Sequence, residues 1–475
     1  MRRPRWRAAR CSGPCTDEQA PGRPKLANAP SGGSEVAQRP SVGAPMSRHA
    51  CIVGAGIVGC ATAYALARDG WQVTLVDALD APGQGASLAN GAQLSYSYVE
   101  PLATPAALRA LPGWLLSPSG PLRWRPRMEG AHLRWLAAFV RACRSAEVRR
   151  TTEALLALSF ASRDTLHGWL RELPGAEPVL HHARPGKLVI HRDARARAAV
   201  MRQLAWQREL GCRQRLVTAD ECIALEPALA AIGREAIAFG VWTEDEEVID
   251  AAALARTLAQ ASGATLRLGR RAVGFEMQGG TPHALMLQGD RIAVDHFIVT
   301  AGAASAALLR PLGVELPIEP IKGYSVTLPI VDSAAAPRAS VTDQSRKMVF
   351  ARLGEQLRVA GFAELTGFDL RIDGARIAAL CAAVQENFPG ACDLRHSQPW
   401  AGLRPATPTS RPLIGSTGLP KLWVNTGHGA LGLTLAAGSA ALLSRLMAAQ
   451  PATIDARPYA PAVTLRNAAM KSATG

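Results

Sequence analysis

The hydrophobic pattern near the start of the chain predicts a strand, a helix and a second strand in close succession. Residues 50–53 form a short apolar run that suits one buried strand, and residues 71–76 form another. Residues 60–69, between these two runs, are rich in Ala and Leu and end at Gly70, which is typical of a helix with a glycine stop. The pattern therefore predicts a β-α-β unit that ends with Asp77.

Apolar periodicity continues along the chain and predicts a second group of strands and helices. The predicted helices are residues 132–143, 155–173, 194–210, 221–229, 251–261, 377–388 and 433–447. The predicted strands are residues 187–191, 265–268, 272–277, 284–287, 295–300, 323–328, 348–352, 356–361 and 422–425. The buried strand at 295–300 has the composition of the first unit, so the domain that begins at residue 48 is predicted to be discontinuous.

The turn between the first strand and the first helix carries glycines at positions 54, 56 and 59. Gly54 permits a sharp turn, Gly56 lets the backbone approach a pyrophosphate, and Gly59 lets the helix pack on the strand. Asp77 follows Gly59 by 18 positions, where a carboxylate can accept hydrogen bonds from an adenosine ribose. The stretch predicts a dinucleotide site, and these residues alone leave FAD and NAD open.

Two further glycine-containing stretches suggest contact with the same ligand. Residues 86–95 are small and polar, so their backbone can approach a flat ring, although a surface loop would have the same composition. Residues 426–429 form a glycine turn before a helix of small residues, which offers N–H groups to an electron-rich target. Residues 422–444 lack charge, but four glycines together with Asn425 and His428 make them a poor membrane span.

Composition narrows the class of protein. The 475 residues suggest two domains, and the 48% apolar content can fill a core. The net charge of +15 comes mostly from scattered Arg, which argues against nucleic-acid binding. Residues 1–45 hold eight Lys/Arg and three Asp/Glu without apolar periodicity, so we expect a disordered basic head and Met46 as the natural start.

The nine cysteines indicate a reducing compartment. Their number is odd and no C-x-x-C pair occurs, which fits neither a disulfide framework nor a zinc site. The sequence therefore predicts free thiols in a cytoplasmic protein.

Two charged stretches have open interpretations. Residues 114–135 mix Trp and Arg, which suits either a membrane interface or, more readily, a helix of a substrate domain with Trp in the core. The acidic run at 244–247 could hold a metal, but consecutive carboxylates without a nearby His favour a solvated loop. We therefore expect no metal site.

Four patches in this order resemble the D-amino-acid oxidase superfamily of flavoproteins, most closely the small-subunit group of its D-amino-acid dehydrogenases. They are the first glycine turn, residues 87–95, residues 322–325, and residues 402–405 followed by 425–429. The resemblance implies FAD as the cofactor. It also implies an α/β fold with a discontinuous, Rossmann-like FAD-binding domain and an α+β substrate domain with a mixed sheet.

The resemblance also implies roles for individual residues. Arg404 corresponds to the arginine that holds the substrate carboxylate, and Tyr324 is expected either to close the pocket or to lie in the core. The residues expected to contact FAD are Gly54, Ala55, Gly56, Ile57, Val58, Gly59, Asp77, Ser87, Ala89, Asn90, Gln93, Val273, Gly302, Gly427, His428, Gly429 and Leu431. We expect His428 to contribute its backbone rather than to act as a base.

The resulting domain and function assignments are expectations. The domains are a head at 1–47, an FAD-binding domain at 48–100, 240–314 and 396–460, a substrate domain at 101–239 and 315–395, and a tail at 461–475. The implied reaction is oxidative deamination of D-amino acids to 2-oxo acids and ammonia, with hydride passing from the α-carbon to flavin N5. A quinone-type acceptor and peripheral contact with the inner face of the cytoplasmic membrane are further implications.

Three alternative functions remain at this point. The first is an oxidase or dehydrogenase for glycine, sarcosine or hydroxyproline. The second is an NAD-binding module. The third is a flavoprotein subunit without catalytic activity of its own.

Overall fold

A computed structural model describes residues 48–116, 120, 122–173, 175 and 177–461. The predicted basic head at 1–47, the proposed start at Met46 and nearly all of the predicted tail lie outside these residues. Within the described chain the β1–α1–β2 unit is present, as the apolar pattern predicts.

Most of the strands are short. They are β1 (His49–Val53), β2 (Gln72–Val76), β3 (Gln93–Leu94), β4 (Leu122–Trp124), β5 (Lys187–His191), β6 (Gln214–Val217), β7 (Phe239–Thr243), β8 (Glu247–Val248), β9 (Thr265–Arg267), β10 (Ala272–Gln278), β11 (Thr281–Leu287), β12 (Asp290–Ala293), β13 (His296–Val299), β14 (Glu319–Pro329), β15 (Ser340–Asp343), β16 (Met348–Leu353), β17 (Gln356–Leu365), β18 (Gln398–Ala406), β19 (Leu413–Ser416) and β20 (Leu422–Thr426).

The helices are mostly amphipathic and cover the faces of the sheets. They are α1 (Ile57–Arg68), α2 (Pro105–Leu116), α3 (Gly130–Ala142), α4 (Ser145–Glu172), α5 (Glu177–Leu180), α6 (Arg197–Glu209), α7 (Ala219–Leu225), α8 (Ala251–Ala261), α9 (Ser305–Leu309), α10 (Gly374–Asn387) and α11 (Gly432–Met447).

The first sheet has the strand order β19-β20-β13-β1-β2-β9 and is parallel except at β19. We call it the central parallel sheet. Its β1 is buried on both faces, which is why residues 50–53 are continuously apolar. One face packs against α1, α8 and α11, and the other packs against the small sheet of β10, β11 and β12. Ligands bind at the carboxyl ends of such parallel strands.

The second sheet has the order β18-β14-β17-β16-β15-β5-β7-β6, with β4 paired to β17. It combines parallel and antiparallel pairs, and we call it the large mixed sheet. Helix α10 covers one of its faces, where Leu380, Val384 and Phe388 are buried. The fold is therefore α/β with a discontinuous Rossmann-like part and an α+β part, as predicted.

The domain boundaries need two changes from the prediction. Strand β7 pairs with β5, and strand β18 pairs with β14 along its whole length, so both belong to the large mixed sheet. The predicted division had placed most of β7 and all of β18 in the FAD-binding domain. We propose the same division with these two strands moved to the substrate domain.

The long apolar helix at the end of the chain is covered by protein. Among the described residues, one helical segment, Gly429–Met447, is long and apolar enough to cross a membrane, but 67% of it is buried. It lies against α1 and α4, and Gly438 donates its backbone N–H to Ser162 Oγ at 3.0 Å. A Cβ at position 438 would lie 2.8 Å from the backbone of Ser162, so the glycine permits this close packing.

The acidic run at 244–247 was wrongly predicted to be a solvated loop. Glu246 and Glu247 are both buried, and Glu247 lies between His167 Nε2 at 2.7 Å and His182 Nε2 at 2.8 Å. Glu246 accepts hydrogen bonds from two backbone N–H groups. No cluster of metal-ligating side chains occurs among the described residues. Through these hydrogen bonds the two buried carboxylates hold the short strand β8 in position.

The Trp and Arg stretch is divided between core and surface. Trp135 is buried and donates its indole N–H to the Ala406 carbonyl at 2.9 Å, so it belongs to the core. Trp124 is 39% exposed and packs against His132. Residues 105–116 form helix α2.

We expect Gly59→Ala to destabilise the β1–α1–β2 unit strongly. A Cβ at position 59 would lie 1.7 Å from the Gly54 carbonyl oxygen, and that backbone atom cannot move aside. The apparent free energy of unfolding should fall by about 2 kcal/mol or more. Chemical denaturation followed by circular dichroism measures it. Gly274→Ala is the control, because no atom lies within 4 Å of its added Cβ, and equal stability of the two variants would contradict the prediction.

Candidate active site

A cavity of about 1700 Å³ lies between the central parallel sheet and the large mixed sheet. This volume exceeds that of most small-molecule pockets, so it can hold an extended ligand together with a second small molecule. The carboxyl ends of β1, β2, β13 and β20 open into it, which is where the parallel fold places its ligands.

The first glycine turn forms one end of the cavity. Gly54 has φ +114°, and a Cβ there would lie 2.7 Å from the Thr300 carbonyl oxygen, so only glycine fits. The backbone N–H of Ile57, at the start of α1, donates to Ser87 Oγ at 3.0 Å. The first turn of α1 and residue 87 of the second predicted segment therefore meet, as one site requires.

Asp77 lines the same end of the cavity at the end of β2. One carboxylate oxygen accepts from the Ala55 N–H at 2.6 Å, and the other accepts from the Leu79 N–H at 2.8 Å. A carboxylate oxygen can accept a second hydrogen bond, so this orientation leaves acceptor capacity for a ribose. Val273 is more than half exposed and lines the cavity nearby.

Residues 89–95 cross the cavity face of the large mixed sheet. Ser325 on β14 donates to the Ala89 carbonyl, and Arg358 on β17 donates to the Asn90 carbonyl at 3.1 Å. Gln93 donates to Ser340 Oγ on β15. Side chains of two strands thus hold the backbone of this segment and a third bonds its Gln93 side chain, which keeps its small residues beside the cavity.

The last glycine turn lies opposite this segment. Asn425, at the end of β20, lines the cavity, and its buried Oδ1 has no hydrogen-bond partner among the described residues. Such an orphaned acceptor is expected where a ligand supplies the donor. The His428 imidazole bonds Ser439 Oγ at 3.1 Å, and burial lowers its pKa to about 3, so the ring is neutral. This agrees with the expectation that His428 is not a base.

Arg404 lies on β18 in the wall formed by the large mixed sheet. Its Nη1 donates to the Phe362 carbonyl at 2.7 Å, and its guanidinium lies over Gly323, where a Cβ would come within 2.3 Å. Among the described residues no carboxylate pairs with it, and burial lowers its pKa to about 10. A guanidinium cannot deprotonate at neutral pH, so Arg404 is a cation that faces the cavity without an anionic partner.

A strained backbone position holds the Arg404 partner in place. Phe362 has φ +62°, which is a true outlier for a bulky residue, and the pairing of β14 with β17 shifts register there. The bulge turns the Phe362 carbonyl toward Arg404. Strain of this kind is typical of functional sites.

Tyr324 also lines the cavity, but its hydroxyl is engaged. It donates to Glu364 Oε2 at 3.0 Å, and Glu364 in turn pairs with Lys322 at 3.3 Å and Arg376 at 3.0 Å. Burial is the main cause that raises the pKa of the Tyr324 phenol. Tyr324 therefore combines both predicted roles, since it is a buried core residue and also part of the cavity wall.

The structure brings most of the predicted site residues to this cavity. Those that line it are Gly54, Gly56, Ile57, Val58, Asp77, Ser87, Asn90, Gln93, Val273, Gly302, Tyr324, Arg404, His428, Gly429 and Leu431. The remaining four, which lie beside the lining residues, are Ala55, Gly59, Ala89 and Gly427. Their contacts with a cofactor stay predictions.

Sequence reasoning missed three residues of this region. Lys187 and Glu246 are buried near Gln93 with the half-buried Tyr98 beside them, and Lys187 and Tyr98 line the cavity. A lysine that opens an otherwise apolar strand was the available signal for Lys187. The position of Glu246 had no local signal, because its partners come from distant segments.

The geometry can now be compared with known proteins. A family model described as "FAD dependent oxidoreductase" (DAO) matches residues 49–446. This chain belongs to that family. FAD is therefore its cofactor, and the protein is an oxidoreductase.

Individual relatives of this FAD-dependent oxidoreductase are similar along most of its length. D-amino acid dehydrogenase 2 of Ralstonia nicotianae is 46% identical over 425 residues, which is 86% of this chain and 98% of that protein. D-amino acid dehydrogenase 2 of Pseudomonas aeruginosa is 44% identical over 420 residues, which is 88% and 99% of the two chains.

Solved structures support the fold. Glycine oxidase of Geobacillus kaustophilus has a TM-score of 0.68 at 19% identity, covering 87% of this chain and 99% of its own. L-proline dehydrogenase of P. horikoshii has a TM-score of 0.66 at 16% identity, with coverage of 88% and 98%. At these identities the likeness concerns the fold alone.

The residues present fit FAD. One extended cavity is lined by a glycine turn that has no room for a Cβ, by the acid at the end of β2, and by Asn425 with its unpartnered acceptor oxygen. Residues 54–59, Asp77 and the turn at 427–429 would hold the cofactor.

We expect Asp77→Asn to weaken FAD binding. An amide has one acceptor oxygen in place of two, so one of the backbone N–H groups of Ala55 and Leu79 loses its partner and the ribose loses a charged acceptor. The dissociation constant should rise about tenfold, measured by the recovery of flavin fluorescence on release. Asp80→Asn is the control, because Asp80 is exposed and bonds only Gln84 in the described structure, and an unchanged constant in Asp77→Asn would refute this role.

Proposed function

We propose that the protein is a D-amino-acid dehydrogenase that converts D-amino acids to 2-oxo acids and ammonia. The observation that carries this proposal is the unpaired guanidinium of Arg404 in the wall of the FAD cavity. The two relatives at 46% and 44% identity, both named D-amino acid dehydrogenase 2, support the choice of substrate.

Arg404 would bind the substrate carboxylate. Its planar fork can form two parallel, charge-assisted hydrogen bonds, and Phe362 already fixes one nitrogen. A buried charge that gains an anionic partner only with substrate favours α-amino acids over amines, which lack the carboxylate. Binding at this point fixes the orientation of the α-carbon, and orientation is most of what such a reaction needs.

The Glu364 cluster would keep this wall rigid. Tyr324, Lys322 and Arg376 all bond one carboxylate, so the Tyr324 ring is held against Phe362 with centroids 6.3 Å apart. FAD, when bound, supplies the electron-accepting chemistry. The protein residues would bind the carboxylate and position the substrate. The pKa of His428, lowered by burial to about 3, makes its imidazole too weak a base for proton abstraction.

Anaerobic flavin reduction tests the proposal directly. The purified holoprotein is mixed with D- and L-alanine, glycine, sarcosine and hydroxyproline without oxygen, and loss of the visible flavin band is followed. D-alanine should bleach the band and L-alanine should not. Bleaching by glycine, sarcosine or hydroxyproline alone, or by none of these compounds, would contradict a D-amino-acid dehydrogenase.

We expect Arg404→Leu to retain FAD but to lose activity. The substrate carboxylate would lose a charged partner, so kcat/KM for D-alanine should fall by roughly 100-fold or more, about 3 kcal/mol. Arg404→Lys should recover only part of this loss, because an ammonium lacks the bidentate fork. Arg457→Leu is the matched control, since Arg457 is 91% exposed and pairs with Asp455. A near-normal kcat/KM in Arg404→Leu would remove Arg404 from the substrate site.

We also propose that the electron acceptor is a quinone that approaches at the apolar rim of the cavity. We define the rim as Leu102, Trp124, Val140, Phe368 and Leu370, five apolar residues that line the cavity and are exposed by 39% to 58%. Leu79, Leu88 and Val273 are similarly exposed but belong to the end of the cavity that is expected to hold FAD. Arg123 precedes Trp124 in β4 and Arg134 lies in α3, each paired with a carboxylate, and apolar side chains near basic residues suit the inner face of the cytoplasmic membrane.

We expect the double variant Phe368→Glu, Leu370→Glu to impair the quinone reaction selectively. Charge at the rim opposes a lipid-soluble acceptor, so kcat/KM for a short-chain ubiquinone should fall about tenfold. The rate with a water-soluble dye should stay within about twofold, because the substrate wall is unchanged. Val331→Glu, at a 64% exposed site outside the cavity wall, is the control. Equal losses with both acceptors would argue against this approach route.

A further inference from the structure

Lys187 is a buried cation in the cavity wall. It opens β5, is 1% exposed and lines the cavity. Lysine is almost never fully buried unless it is paired, and among the described residues no carboxylate forms an ion pair with it. A buried ammonium is costly, and attraction to the nearby Glu246 carboxylate offsets only part of that cost because the two groups form no ion pair.

The direct contacts of Lys187 are all with neutral groups. Nζ donates to Gln93 Oε1 at 3.0 Å and to Ser95 Oγ at 2.9 Å, and it lies 4.2 Å from the centre of the Tyr98 ring. The two acceptors are neutral, and the ring face offers only a weak attraction to a cation. The ammonium is thus hydrogen-bonded only to neutral groups, and no carboxylate among the described residues contacts it directly.

Among the described residues, Glu246 is the charged group that acts on Lys187: its buried Oε2 has no hydrogen-bond partner, and its charge attracts the ammonium from beyond ion-pair distance. Glu246 is the nearest acid in the surrounding structure, and one of its oxygens accepts from the backbone N–H groups of Ser97 at 2.8 Å and Tyr98 at 3.2 Å. Glu247, on β8, pairs with two histidines. Tyr98 donates its hydroxyl to Gln344 at 2.8 Å.

Lys187 is linked to the first turn of α11. Ser95, which accepts from Lys187, donates its backbone N–H to Thr434 Oγ1 at 3.0 Å, and Thr434 also lines the cavity. The N-terminus of a 16-residue helix carries a partial positive charge. A full positive charge and a helix dipole therefore converge on one part of the cavity, next to the turn at 427–429.

We propose that Lys187 is a positioning residue of the flavin site, whose ammonium and the α11 N-terminus together stabilise negative charge on the bound flavin. The inference rests on the proposed function as a flavoenzyme. Lys187 also orders Gln93 and Ser95, so it acts on the cofactor both through its charge and through the segment at 93–95.

The charge of Lys187 should depend on pH in the working range. Burial lowers the pKa of Lys187 to about 8, and Glu246 opposes this shift. Below about pH 8 the side chain is therefore a cation, and above it the positive charge is lost. Any stabilisation of negative charge on the flavin should fade as the pH rises through this value.

Sulfite binding to the holoprotein tests the inference without turnover. Sulfite adds reversibly to oxidised flavins and leaves a negative charge on the ring, so its affinity reports positive charge nearby. At pH 7 we expect Lys187→Met to raise the sulfite dissociation constant at least about tenfold. Lys187→Arg should stay within about threefold of the unsubstituted protein, because it keeps a cation.

The pH profile separates the charge of Lys187 from other effects. The unsubstituted protein should lose sulfite affinity above about pH 8, whereas Lys187→Arg should keep it to higher pH and Lys187→Met should lack this transition. Lys421→Met is the control, because Lys421 is exposed and lies outside the cavity wall. If Lys187→Met does not retain FAD, the comparison of Lys187→Arg with the unsubstituted protein still tests whether the charge at this position acts on the flavin.

Two results would overturn the inference. One is an unchanged sulfite constant in Lys187→Met, and the other is the same pH transition in Lys187→Arg as in the unsubstituted protein. Either result with a yellow protein that D-alanine still bleaches would leave the proposed function intact. A colourless unsubstituted protein that takes up no FAD would instead contradict the function itself.

Discussion

The site depends on how residues 87–98 are held between the two sheets. This segment has almost no regular pairing of its own, so its backbone must find partners elsewhere. Ser325 and Arg358 of the large mixed sheet bond its carbonyls, and Thr434 of α11 accepts one of its N–H groups. These contacts attach the segment to both walls of the cavity. They therefore help to set the distance between the two walls.

The parts of the fold that depend on local sequence were predictable. The β1–α1–β2 unit is encoded by apolar runs and by glycines at positions where a Cβ would clash with the neighbouring backbone. Asp250 caps α8 by accepting from the Ala252 and Ala253 N–H groups, and that helix has the predicted bounds. The candidate site could be predicted because its residues belong to sequence patches that occur in the same order in a known family. This resemblance includes Arg404 as well as the glycine turns.

The parts that depend on distant partners were not predictable from pattern. Glu246 and Glu247 look like solvated residues in the sequence, because four adjacent acids are usually exposed. Their burial becomes favourable only when the histidines of other elements and the backbone at 97–98 surround them. Lys187 was missed for the same reason, since only the folded chain brings it to Gln93 and Ser95. Residues 398–406 were expected in the FAD-binding domain, because their pairing with β14 cannot be inferred from either strand alone.

The strand order of the central parallel sheet has a consequence for synthesis of the protein on the ribosome. His49, on β1, bonds Asp295, which lies 246 positions later, and β20 comes later still. During translation one edge of β1 stays open until β13 has left the exit tunnel, and such an open edge favours aggregation. The turn at 427–429, which we propose to hold the cofactor, is also made late in translation. We therefore expect FAD to bind the finished chain. Truncated products should lack the cofactor and depend on chaperones.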